Sequence, residues 1–230
     1  MLNNFKKEIK FFIIRFLNLK VFYFLLNKNK PISKVYGLDR GKAIDRFYIE
    51  KFLEENKKYI KGNCLELLNN DYTIRYGGKN VIKSDILDIE KNNKRANIIG
   101  DLRNLKDIIP DDSYDCIILT QVLQFIDDYD SALLECKRIL KKDGSLLITA
   151  PAMSRIDCVA GIGGDFWRFT EASFDYILKD KFNNIKVLPY GNVKTGMGFW
   201  IGLSQQDVNK NSYHFNDKNF PILITAIVQK

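Results

Sequence analysis

The stretch from Ser113 to Pro151, SYDCIILTQVLQFIDDYDSALLECKRILKKDGSLLITAP, constrains the fold more than any other part of this chain. Cys116-Ile117-Ile118-Leu119 is an unbroken apolar run, the pattern of a strand covered on both faces. After it, Tyr129, Ala132, Leu133, Cys136, Ile139 and Leu140 recur at the three- and four-residue spacing that lines one side of a helix. Asp127, Asp128 and Asp130 open that helix and Lys137, Arg138, Lys141 and Lys142 close it, as its dipole favours. Gly144 reads as the stop. Ser145 to Thr149 is a second apolar strand, ended by Pro151. Strand, helix and strand with short connections make a parallel crossover unit. Ligands of such sheets sit beyond the carboxyl ends of the strands. Thr120, Gln121 and the segment Ala150 to Ser154 are therefore site candidates on topology alone.

The rest of the chain supplies strands to the same sheet. A helix is predicted from about Ala43 to Ile60, with Ile44, Phe47, Phe52 and Tyr59 inward and Gly62 as its stop. Strands follow at Asn63–Leu68, at Val81–Ser84 ending on Asp85, and at Asn97–Ile99 ending on Gly100-Asp101. Phe174 to Phe182 reads as a helix. Lys186–Leu188 and Ile222–Val228 read as late strands, an antiparallel pair at the sheet edge. Gly161 to Gly202 holds seven of the fourteen glycines, which suggests loops closing over a ligand.

Charge is uneven. The net charge is +8, but residues 1–30 carry seven Lys or Arg and one Glu. The body is therefore close to neutral, which argues against nucleic acid as a partner. Residues 5–26, FKKEIKFFIIRFLNLKVFYFLL, place Phe5, Ile9, Phe12, Phe16, Leu19, Tyr23 and Leu26 at helical spacing. Arg15, Asn18 and Lys20 interrupt the run, whereas a spanning helix wants about 20 uninterrupted apolar residues. Three readings compete for this basic amphipathic helix: packing on its own domain or on a twin subunit in a homodimer, lying in a membrane interface, and spanning the membrane after all. The domain division follows: 1–30 as that helix, 31–230 as the α/β domain. The expected location is the cytoplasm, at the inner face of the membrane if the helix meets lipid. The four cysteines form no CxxC pair and read as buried free thiols, with no metal site.

Several segments resemble class I S-adenosylmethionine-dependent methyltransferases, in particular a bacterial subgroup linked to surface-glycan synthesis. They are LDRGKAIDRFYIEKFL (38–53), the CLEL strand, NDYTIRYG (70–77), SDIL (84–87), IIGDL (98–102), YDCIILTQVLQFIDD (114–128), LKKDGSLLITAP (140–151), GDFWRFTEASF (164–174) and YGNV (190–193). The resemblance implies an α/β, Rossmann-like fold: a mainly parallel seven-stranded sheet with helices on both faces, preceded by the N-terminal helix. It implies S-adenosylmethionine as cofactor and O-methylation of a small or lipid-linked glycan acceptor. An alternative is a methyltransferase-like protein that binds no cofactor and serves as a membrane-associated partner in glycan assembly.

Site residues follow from the same resemblance. Asp85 matches the acceptor for the ribose hydroxyls, Asp101 the group facing the adenine amine, and Leu102 an adenine wall. Glu66 matches the acid near the methionine ammonium. Arg40 or Arg46 is expected at the methionine carboxylate, with Thr120 and Gln121 on the ligand rim. In the GDFWRFT segment, Trp167 is a candidate for stacking on a sugar or covering the cofactor. Arg168 is expected to hold a carboxylate or phosphate. Asp165, Asp157 and His214 are the candidates for taking the acceptor's proton. One departure stands out. The first loop of such enzymes is Gly-rich so that backbone can approach the cofactor, yet here it reads Leu67-Leu68-Asn69-Asn70-Asp71-Tyr72, with Leu68 where a glycine is expected.

Overall fold

The apolar run at 116–119 lies at the centre of a seven-stranded sheet. The structure, a computed structural model, describes residues 29–157 and 164–230; the expected N-terminal helix and Cys158 lie outside them. In chain order the strands are β1 (Gly62–Leu67), β2 (Val81–Asp88), β3 (Ile98–Ile99), β4 (Tyr114–Thr120), β5 (Leu140–Pro151), β6 (Asn183–Tyr190) and β7 (Leu223–Gln229). Their spatial order is β3-β2-β1-β4-β5-β7-β6. Strands β1 to β5 pair in parallel, and β7 runs antiparallel between β5 and β6. The strand order reverses between β1 and β4, which opens a crevice at their carboxyl ends.

Alternate residues of β4 feed two cores. Ile117 and Leu119 join Leu65, Leu146 and Ile148 in one, and Cys116 and Ile118 join Cys64 and Leu147 in the other. Helix α1 (Ile44–Glu55) covers the second core through Tyr48, Ile49, Phe52 and Leu53. Helices α2 (Tyr129–Ile139) and α3 (Glu171–Leu178) cover the first, α2 through Ala132, Leu133, Cys136 and Ile139. Asp128 caps α2 by accepting from the Ser131 N–H at 3.1 Å. Cys64, Cys116 and Cys136 are buried free thiols.

Three expectations change. Helix α2 does not run on to a stop at Gly144; it ends at Ile139, and Leu140, Lys141, Lys142 and Gly144 belong to β5. Strand β2 does not end at Asp85; it runs on through Ile86 and Leu87 to Asp88. The apolar pair after Asp85 keeps the strand paired with β1 as far as Leu67. The glycine-rich region also contains a helix, α4 (Val193–Ile201), where only loops were expected. Its glycines serve packing. A Cβ on Gly198 would sit 3.2 Å from Ile44 Cδ1, and Gly202, at φ 82°, ends the helix in a left-handed turn. Asn192 starts it, accepting from the Thr195 N–H at 3.0 Å while Thr195 Oγ1 accepts from the Asn192 N–H at 3.1 Å. Among the described residues, no helix is long and apolar enough to cross a membrane.

Candidate functional site

A cavity of about 790 Å³ opens at the carboxyl ends of β1, β2, β4 and β5. That lies within the roughly 300–1,000 Å³ typical of small-molecule sites. Its wall has two halves. One is built on the strand ends: Leu67 and Leu68 at the end of β1, Asp88 and Glu90 at the end of β2, Asp101 and Leu102 after β3, and Gln121 after β4. The other comes from Tyr36, Phe199, Ser154, Asp157, Asp165 and Phe166. Asp45 and Arg46, in the first turn of α1, also line it.

Leu68 adopts the left-handed backbone of a glycine, φ 68°. The conformation costs about 1–2 kcal/mol in a residue with a Cβ. Two backbone bonds and one from a side chain hold the turn: Leu68 N–H to the Leu87 carbonyl at 3.0 Å, Asn69 N–H to the Leu67 carbonyl at 2.8 Å, and Asn93 Nδ2 to the Leu68 carbonyl at 2.8 Å. The side chain lies at the rim, 46% exposed. It does not fill the space between β1 and β3.

The strand-end acids divide. Asp101 and Leu102 line the cavity, and Asp101 is gripped by Arg103, whose Nε lies 3.0 Å and Nη2 2.6 Å from Oδ2. That pairing holds its carboxyl below the ordinary range against the opposing effect of partial burial. Asp85, the residue matched to the ribose, is not in the wall. It is buried inside β2 and accepts from Tyr114 Oη at 2.8 Å, Asn97 Nδ2 at 2.7 Å and Lys83 Nζ at 2.8 Å. The strand end it was expected to mark belongs to Asp88, which accepts from Asn93 and the Glu90 N–H, with Glu90 beside it.

Glu66 is also displaced from its expected place. Its carboxylate is buried and accepts from the Thr73 N–H at 2.7 Å and Thr73 Oγ1 at 2.8 Å, fastening the turn after β1. Burial, only partly offset by those bonds, pushes its carboxyl up to about 7. Arg40 points away from the cavity wall; it forms a two-pronged pair with Asp207, Nε and Nη2 each 2.8 Å from a carboxylate oxygen. Arg46 is the arginine of that segment that reaches the cavity, donating to Tyr72 Oη at 3.0 Å. Gln121 lines the cavity while Thr120 does not.

The GDFWRFT segment lies across the loop after β4. Phe166 N–H donates to the Gln124 carbonyl at 2.8 Å, and Trp167 Nε1 to the Ile126 carbonyl at 2.9 Å. Trp167 packs edge-on against Tyr129 and lies outside the wall; Phe166 is the aromatic that enters it. Asp165 lines the cavity and is held by Arg168, so Arg168 serves Asp165 and does not reach the cavity. His214 is exposed, outside the wall, and edge-on to Phe47 at 6.2 Å. The only histidine is thus removed from the site.

Three features of the site were missed in the sequence. Asp45 Oδ1 and Gln124 Oε1 are buried in the cavity wall with no hydrogen-bond partner. Burial raises the Asp45 carboxyl, opposed by the neighbouring Arg46 charge. Tyr36 lies across the other side, its ring stacked on Phe199 at 5.8 Å, beneath the Arg155 guanidinium at 3.9 Å, its hydroxyl 3.1 Å from Asp157 Oδ2. No periodicity marks such positions, because each depends on what the fold sets opposite. Only the apolar Ile86-Leu87 pair, which carries β2 on to Asp88, was a usable sequence signal. No group of His, Cys, Asp and Glu among the described residues is arranged to hold a metal.

Residues 25–148 match the family model described as a methyltransferase domain. No curated protein matches this sequence. Solved structures share its fold. A SAM-dependent methyltransferase from Archaeoglobus fulgidus aligns over 80% of this chain and 94% of its own, with 14% identity and a TM-score of 0.55. A SAM-dependent methyltransferase from Thermotoga maritima aligns over 94% and 97%, with 16% identity and a TM-score of 0.53. The [4+2]-cyclase SpnF aligns over 87% of each chain, with 14% identity and a TM-score of 0.52. A cyclase on the same fold means that architecture alone does not fix the reaction; the family match carries that weight.

Proposed function

This chain belongs to the methyltransferase-domain family and is an S-adenosylmethionine-dependent methyltransferase, and from that premise we propose that its cavity holds the cofactor beside a sugar hydroxyl. The observation that carries this reading is the pair of unpartnered buried oxygens in the wall, Asp45 Oδ1 and Gln124 Oε1. A buried polar atom without a partner is costly and rare unless a ligand satisfies it. The cofactor brings an ammonium, a sulfonium and an adenine amine, which suit a wall rich in oxygen acceptors.

The residues divide the work by chemistry. Asp45 takes the ammonium and Arg46 the carboxylate of the methionyl end. Asp88 and Glu90, at the end of β2, face the ribose in place of Asp85, and Asp101 with Leu102 forms the adenine wall. S-adenosylmethionine, when bound, supplies a methyl group already activated on a positively charged sulfur. The protein's part is then to align an acceptor oxygen and receive its proton.

The acceptor half of the wall is built from residues beyond position 148, where the family match ends, together with Tyr36. Phe166, half exposed, offers an aromatic face to the C–H side of a sugar ring, with the stacked Tyr36–Phe199 pair forming the floor beside it, and Asp157 and Asp165 offer carboxylates to its hydroxyls. Asp165 is the proton acceptor in this reading. A carboxylate needs no histidine beside it to take a proton as the new bond forms, which fits the exposed position of His214. Surface-glycan building blocks, free or lipid-linked, are the acceptor class proposed. Calorimetry with S-adenosylhomocysteine tests the cofactor half. Radiolabelled methyl transfer to a panel of reducing sugars and nucleotide sugars tests the acceptor half. Tight cofactor binding with no transfer to any sugar would refute the acceptor assignment alone.

A further inference from the structure

Helix α4 is built inside out for a surface helix. Its inward face carries Thr195, Gly196, Gly198 and Phe199, while Val193, Met197 and Trp200 are 46%, 46% and 54% exposed. Those three, spaced by four and three, form one apolar stripe. The segment before α1 extends it. Ile32 N–H donates to the Ile201 carbonyl at 2.7 Å, fixing that segment across the end of α4, and Ile32, Val35 and Leu38 are 47%, 40% and 61% exposed. Surface residues this apolar and this contiguous mark an interaction surface.

Charge selects the partner. Residues 29–38 and 193–201 contain three lysines, Lys30, Lys34 and Lys194, all exposed, and no acidic residue. The chain that enters the patch at Asn29 brings a strongly basic, apolar stretch with it, since residues 1–30 carry seven Lys or Arg and one Glu. Protein interfaces are depleted in lysine at their cores. Apolar side chains with a tryptophan, interleaved with lysines, suit the boundary layer of an anionic bilayer.

We infer that the face formed by α4 and residues 29–38 docks on an anionic lipid surface, with Trp200 and Met197 inserted among the headgroups. The inference does not rest on the acceptor reading. It has a consequence for it: Leu38 belongs both to this face and to the cavity wall. The cavity mouth then opens at the lipid boundary, within reach of an amphiphilic acceptor held in the membrane.

The test uses the full chain with Trp167→Phe, which leaves Trp200 as the single tryptophan. It is mixed with vesicles of phosphatidylcholine, with or without phosphatidylglycerol. The expected result is co-sedimentation with the anionic vesicles only, a blue shift of Trp200 emission, and weakening by about tenfold or more in Val193→Ser/Met197→Gln. Unchanged melting of that variant shows that the loss is one of binding. Sedimentation without a Trp200 shift, and unaffected by the double variant, would overturn the inference, because the N-terminal stretch alone would then be binding. So would absence of vesicle binding, or a concentration-dependent dimer abolished by the same variant, which would make the face a contact between copies.

Discussion

Arg168 grips Asp165 with both arms of its guanidinium, Nη1 at 2.5 Å from Oδ1 and Nη2 at 2.8 Å from Oδ2. The Asp157 N–H adds a third bond at 2.8 Å. Burial alone would raise the Asp165 carboxyl; these donors outweigh it and hold the group below its ordinary range. Asp165 is therefore ionised at neutral pH, and its orientation is set by Arg168, outside the cavity, together with the backbone of Asp157 in its wall. Asp165→Asn keeps the size and removes the proton acceptor. Methyl transfer should fall by about 100-fold or more, while affinity for S-adenosylhomocysteine, measured by calorimetry, stays within about twofold.

Asp45 makes the complementary prediction. It sits in the first turn of α1, where the dipole favours a carboxylate, yet its Oδ1 has no partner. Asp45→Asn should leave the cofactor-free protein within about 1 kcal/mol of the parent. It should weaken S-adenosylhomocysteine at least about tenfold, and so reduce the rise in melting temperature that this ligand gives the parent.

Asp85 should behave in the opposite way. It is buried and accepts from three donors, of which Lys83 and Asn97 reach solvent, so Asp85→Ala strands the buried Tyr114 hydroxyl. The expected loss is about 1–3 kcal/mol of unfolding free energy in urea. Cofactor affinity of the folded fraction should not change. A selective loss of affinity with normal stability would restore Asp85 to the site.

Leu68→Gly removes a side chain and a backbone strain together. Replacing a half-buried leucine costs about 1–2 kcal/mol in burial, and releasing the left-handed conformation returns about 1–2 kcal/mol. Stability should therefore stay within about 1 kcal/mol of the parent. Cofactor affinity should rise, because the rim widens where the backbone passes the cavity.

Glu66 predicts a pH dependence. Its folded value, about 7, lies above the ordinary carboxylate value of 4.5. Between those values the folded chain binds more protons than the unfolded one, so stability falls as pH rises. The contribution is fully present below 4.5 and gone above 7, a loss of at most about 3 kcal/mol. Glu66→Gln should flatten that part of the curve in urea melts taken from pH 4 to 8.

Much of this protein follows from patterns that operate within a single element. The run at 116–119, the spacing of apolar residues in α2 and its charged ends specify a crossover unit, and the late strands form the expected antiparallel pair at the edge. Gln121, which lines the cavity, was also within reach, because loops after strands lie at the ligand rim of such a sheet, while Asp101, Leu102 and Asp165 were pointed to by the family resemblance. Tertiary structure decided the rest. Whether Asp85 or Asp88 meets the cavity depends on where β2 loses its partner strand. Whether Arg40 or Arg46 reaches it depends on Asp207, far along the chain, capturing Arg40. Helix α4 was hidden because its glycines, which read as loop in one dimension, allow close packing in three, Gly198 on Ile44 of α1 and Gly196 on Met153 and Ile222. Local propensity fixes the hydrogen bonds a segment makes with itself, whereas a site is defined by which polar atoms remain unpaired once every distant partner has been placed.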